Sequence, residues 1–114
     1  MGGTPGGDAQ AQWNVQVLTS MFDFGFNPQQ AADAPRWTSY PGTDPSSIDD
    51  AQVVTLEPGF PDTTYKNLHA RGHAIDYIEL GQSLGGVQLI QINQETQVFE
   101  GGCDYRTDGQ VAVN

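Results

Sequence analysis

The segment Gly2-Gly3-Thr4-Pro5-Gly6-Gly7-Asp8 constrains this chain more than any other. Four glycines and a proline in seven residues are expected neither to begin a helix nor to fill a strand. Glycine serves where φ is positive or where another group approaches the backbone closely. The segment leads straight into a helix-like stretch, which sets bare N–H groups at a helix entrance. Such an arrangement can hold an anion or a developing oxyanion. A phosphate loop fits poorly: the Gly-Lys-Ser/Thr ending is absent and Asp8 would repel phosphate. An ordinary turn or a flexible tail remains the plainer alternative on composition alone.

At 114 residues the chain is long enough for one domain. Its apolar content of 37% is low for a self-sufficient globule, and 14 glycines and 7 prolines supply many turns. The expectation is a piece with a thin core, better stabilised against a partner. The formal net charge is −10, and the basic residues Arg36, Lys66, Arg71 and Arg106 are spread along the chain. Nucleic acids and anionic membrane surfaces are therefore poor partners. One cysteine, Cys103, excludes an intramolecular disulfide and a Cys-rich zinc site. No apolar run approaches the ~20 residues of a membrane span, and no signal-peptide pattern is present.

Trp13, Val17, Met21 and Phe24 recur at helical spacing with Leu18 beside them, predicting an amphipathic helix over residues 11–24 stopped by Gly25. Asn27 reads as an N-cap, Pro28 as the first helical residue and Gln30 as the partner in a capping box. That helix covers 28–34 and ends at Pro35. Strands are expected at 36–40, 53–56, 74–80 and 87–92, with a helix over 63–71 that Asp62 caps, Tyr65 and Leu68 face inward and Gly72 ends. Residues 41–50 read as a loop and 81–86 as a turn. Asn93-Gln94-Glu95 turns the chain into a hairpin return over 97–100, which Gly101-Gly102 breaks, and a weak strand closes the tail at 111–113. The fold class is α/β or α+β, helices followed by a mainly antiparallel sheet.

Few residues offer chemistry by themselves. Asp8, Gln10, Gln12 and Gln16 form a polar string beside the glycine segment, a solvated helix start or else a set of substrate contacts. His69 and His73 are four apart, but Gly72 between them ends the helix, so two partly exposed histidines are favoured over a metal pair. Thr63 and Thr64 have no neighbouring base. Cys103 has only Arg106 nearby to lower its pKa.

Taken in order, several segments resemble the γ-glutamyltranspeptidase family. Gly3-Thr4-Pro5-Gly6-Gly7 is similar to its Gly-Ser/Thr-Pro-Gly-Gly segment. Gln30-Ala31-Ala32-Asp33-Ala34-Pro35-Arg36-Trp37 is similar to its Ala-Pro-Arg-aromatic ending, and Leu56-Glu57-Pro58-Gly59-Phe60 to its Glu-x-Gly-Phe. Leu68 to His73 matches Leu-x-x-x-Gly-His. Cys103-Asp104-Tyr105-Arg106, followed by Asp108-Gly109, stands where the family has Ser-Asp-Pro-Arg and Asp-Gly, and departs from it at Cys103 and Tyr105.

The resemblance implies an N-terminal-nucleophile hydrolase, an αββα sandwich, of which residues 1–114 are a single partial domain from the C-terminal part of the small subunit. It implies a self-cleaving precursor whose exposed threonine, upstream of this chain, attacks the γ-glutamyl amide of glutathione-like substrates and passes the acyl group to water or an amino acid. An acylase of the same fold and an inactive stand-alone fragment are the alternatives. Gly6 and Gly7 match the positions whose backbone N–H groups form the oxyanion hole. The implied partners are the remainder of the precursor and a small γ-glutamyl substrate. No cofactor or metal is implied; a periplasmic or extracellular location is, with a cytoplasmic one as the alternative. This chain alone is expected to be inactive, because the nucleophile lies elsewhere.

Overall fold

The computed structural model describes residues 1–4, 7–41, 46, 49–79 and 85–112, with the Asp8 side chain left aside. Gly6, most of the 41–50 loop, the expected turn at 81–84 and the ends of the strands expected at 74–80 and 111–113 lie outside the described residues.

The elements are β1 (Gly2–Gly3), a 3-10 turn (Gly7–Ala9), α1 (Gln10–Phe22), α2 (Pro28–Asp33), β2 (Trp37–Tyr40), β3 (Val53–Leu56), α3 (Asp62–Ala70), β4 (Ala74–Tyr77), β5 (Gln88–Ile92) and β6 (Phe99–Cys103). They form two three-stranded sheets, ordered β1-β5-β6 and β2-β3-β4. The first is antiparallel throughout. In the second, β2 pairs antiparallel with β3, and β3 pairs parallel with β4 through the α3 crossover.

Val17 of α1, Ala31 and Ala32 of α2, Val87 just before β5 and Leu89 within it make the buried core, with Met21 packed against it. Trp13 is also buried, and its indole N–H donates to Thr38 Oγ1 at 2.9 Å. The core is thin, as the composition implies.

The Asn27 capping box forms as expected: its side chain accepts from the Gln30 N–H at 2.8 Å and Gln30 Oε1 accepts from the Asn27 N–H at 3.0 Å. Several expectations need correction. The first helix stops at Phe22, and Phe24 lies beyond it, 72% exposed. Pro61 occupies the N-cap of α3, so Asp62 stands in the first turn, where an acidic side chain complements the helix dipole rather than capping it. No residue of α3 is buried; Tyr65 and Leu68 are half-buried, and the Tyr65 ring lies 5.3 Å from that of Tyr77.

A further correction concerns glycine. Gly101 and Gly102 do not break the hairpin; β6 runs through them, with Gly101 opposite Ile90 and Gly102 opposite Leu89. A Cβ on Gly102 would collide with the backbone of Pro28, so glycine is what lets the first turn of α2 lie against the sheet. Gly2 and Gly3 likewise pair with Leu89 and Gln88 as a short strand. The strand expected over 74–80 ends at Tyr77, and residues 111 and 112 form none.

Candidate active site

The glycine segment is fixed at both ends. Before it, β1 is hydrogen-bonded to β5, and the Met1 carbonyl accepts from the Ile90 N–H at 2.7 Å. Thr4 is buried; its hydroxyl donates to Asn14 Oδ1 at 3.1 Å, and Gln10 Nε2 donates to the Thr4 carbonyl. After it, Gly7 opens the 3-10 turn that leads into α1, exposed and with φ +55°, a backbone state that side-chain-bearing residues avoid. A Cβ on Gly7 would meet nothing within 4 Å, so strain and not crowding is what selects glycine there.

Of the polar string beside the segment, the Asp8 side chain is left aside, Gln10 is exposed and bonded to the Thr4 carbonyl, and Gln12 and Gln16 are not free side chains. Gln12 grips Ser39, donating from Nε2 to its carbonyl at 3.1 Å and accepting from its N–H at 2.8 Å. Gln16 does the same to Trp37, at 2.9 and 3.0 Å. Two helix side chains thus stand in for a strand along the outer edge of β2.

A buried ionic cluster ties the two sheets together, and the sequence reading gave it no role. Arg36 Nη1 donates to Asp104 Oδ2 at 2.7 Å and Nη2 to the Gly85 carbonyl at 2.8 Å. Arg106 reaches Glu57 at 2.6 Å, Asp104 at 2.9 Å, and the carbonyls of Ala32 and Ala34 at 3.0 and 3.1 Å. Asp104 also accepts from the N–H of Val87, and Glu57 from the N–H of Arg36. Burial would raise the Asp104 carboxyl, but the Arg106 N–H and the guanidiniums of Arg106 and Arg36 outweigh it and hold it below the ordinary carboxylate range. Burial would lower Arg106; Glu57 and Asp104 outweigh it and hold the guanidinium above its ordinary value.

Two arginines and two carboxylates balance. The signal for them was present: each lies inside one of the family-like segments, and those segments converge on this cluster. Arg106 is therefore committed to Glu57 and Asp104 rather than to Cys103.

Cys103 is half-buried at the end of β6, where Gln29 holds its N–H and carbonyl at 3.1 and 2.9 Å. His69 and His73 are both exposed and line one shallow groove with Tyr65, Lys66 and Tyr77. Among the described residues no group of three or more His, Cys, Asp and Glu is placed to hold a metal ion, and no helix is long and apolar enough to cross a membrane. Thr63 and Thr64 stand in the first turn of α3, remote in sequence from the glycine segment.

A family model described as gamma-glutamyltranspeptidase matches residues 1–114. The chain belongs to the γ-glutamyltranspeptidase family. Within that family it is 31% identical over 108 residues to the glutathione hydrolase-like YwrD proenzyme of Bacillus subtilis, covering 94% of this chain and 20% of that protein. Cephalosporin acylase from Bacillus halodurans is 40% identical, superposes with a TM-score of 0.83, and aligns over 97% of this chain and 19% of its own. An acivicin-inhibited γ-glutamyltranspeptidase, whose C-terminus is described as critical in autoprocessing and catalysis, is 27% identical with a TM-score of 0.76, over 96% of this chain and 54% of its own. The chain thus spans a fifth to about half the length of these relatives, and its fold is that of their N-terminal-nucleophile hydrolase architecture.

Proposed function

We propose that this chain is the C-terminal part of the small subunit of an N-terminal-nucleophile amide hydrolase or transferase, and that Gly6 and Gly7 supply the backbone donors of its oxyanion hole. The observation that carries this reading is the clamped glycine segment, with Gly7 held at positive φ at the mouth of α1. In this reading a threonine from the preceding part of the precursor attacks the γ-glutamyl amide carbonyl, and its own α-amino group takes the hydroxyl proton. The carbonyl oxygen gathers negative charge against the Gly6 and Gly7 N–H groups. Collapse of the tetrahedral intermediate breaks the C–N bond and releases the protonated amine. Water or an amino acid then takes the acyl group.

Exposed apolar side chains support a partner. Phe22 is 73% and Phe99 66% exposed, and Leu18, Ile90 and Ile92 also face outward. Isolated exposed apolar residues are ordinary, but Leu18 and Phe22 of α1 line one groove with Ile90 and Ile92 of β5. The remainder of the precursor is the proposed cover.

A second reading, an acylase of the same fold acting on another amide, is favoured by the greater identity to the Bacillus halodurans acylase, 40% against 27% for the acivicin-inhibited enzyme. Release of nitroaniline from γ-glutamyl-p-nitroanilide by the complete enzyme separates the two. Turnover supports the transferase reading; no turnover there, with cleavage of a glutaryl amide, supports the acylase.

A further inference from the structure

We infer that Thr4 and Asn14 are positioning residues for the oxyanion donors, acting through a buried hydrogen bond that fixes the glycine segment to α1. This rests on the reading of Gly6 and Gly7 above. Thr4 is only 6% exposed, and its hydroxyl donates to Asn14 Oδ1 at 3.1 Å. Its carbonyl accepts from Gln10. Gln10 and Asn14 are one helical turn apart, so both grips come from one face of α1.

Gly3 is separately registered opposite Gln88. Thr4 is therefore held by the sheet on one side and by the helix on the other, and Gly7 at the far end of the segment belongs to the turn that opens that same helix. The helix is itself anchored by buried Trp13 and Val17 and by the grip of Gln12 and Gln16 on β2. The Gly7 N–H, carried on the turn that opens this anchored helix, keeps its direction. This matters because displacement of a reacting group by about 1 Å can lower a rate ~100-fold. The Thr4 hydroxyl proton is engaged by Asn14 and the side chain is buried, so its contribution is to geometry and not to contact.

The test is steady-state kinetics on the complete enzyme, with kcat expressed per active site counted by covalent titration, so that unfolded or unprocessed protein does not enter. Thr4→Val keeps the shape and removes the hydroxyl; Asn14→Ala removes the acceptor from a half-buried position. Each is expected to lower kcat about 10- to 100-fold with little change in KM. Thr4→Ser, which restores the hydroxyl, returns kcat toward wild type. The double variant is no worse than either single one, since both break the same bond. Wild-type kcat per active site in Thr4→Val and Asn14→Ala, beside an impaired Gly7→Ala, overturns the inference and leaves the oxyanion reading standing. A fully active Gly7→Ala overturns both.

Discussion

Arg106 donates to two carboxylates and two carbonyls while 7% of its side chain is exposed, and Asp104, with none exposed, accepts from both arginines. Removing one member leaves the others buried without compensation, which costs about 3–5 kcal/mol in comparable pairs. Arg106→Met is expected to lower stability by that order, read from the denaturant midpoint of the complete protein. Asp104 adds a pH dependence with a definite sign. Its folded pKa lies below the unfolded value of about 3.9. Its stabilisation is therefore fully present above that unfolded value and is lost as pH falls through the folded one. Asp104→Asn should be less stable than wild type at neutral pH and should lose less on further acidification below about pH 4. A stability–pH curve in Asp104→Asn as steep as that of wild type in this range would contradict the assignment.

The elements that the sequence made legible are those specified locally. The 3.6-residue spacing of Trp13 and Val17, the Asn27–Gln30 capping box, and the β-branched stretch at β3 all form. Elements specified from a distance were not legible. Glycines disfavour strands by local propensity, yet β6 carries two of them because α2 packs against its backbone, and β1 exists only because β5 offers a partner. The same holds for glutamine. Gln12, Gln16 and Gln29 each present an amide to the N–H and carbonyl of one residue, Ser39, Trp37 and Cys103, and nothing in a single sequence distinguishes them from surface polar residues. Each such hydrogen bond is worth about 1 kcal/mol. Gln12→Leu with Gln16→Leu should therefore raise amide exchange across β2 about 10-fold or more while leaving β5 and β6 near wild type. Unchanged exchange in β2 would show that its edge is held some other way.

For the whole molecule, a chain of net charge −10 with a thin core and an outward apolar groove is read as one part of a larger assembly. The candidate site was legible as a glycine segment because its backbone demands are local; the pairing of the ionic cluster was not, although each member lies in a family-like segment, because the members lie up to 70 positions apart, from Arg36 to Arg106. If the nucleophile lies upstream as proposed, the isolated 114-residue chain should release no γ-glutamyl product, since donors without a nucleophile leave only residual effects. Trp13→Ala or Val17→Ala in the complete enzyme should cost about 2–5 kcal/mol of stability and leave kcat intact in the folded fraction. The measurement that bears most directly on the central claim is the kcat of Gly6→Ala and Gly7→Ala in the complete enzyme, with thermal melts on the same samples. A displaced oxyanion donor predicts a fall of about 10²–10³ in kcat, alongside only the ~1–2 kcal/mol of strain that a Cβ brings to a left-handed backbone at Gly7. Full activity in Gly7→Ala would make the segment merely structural and contradict the account.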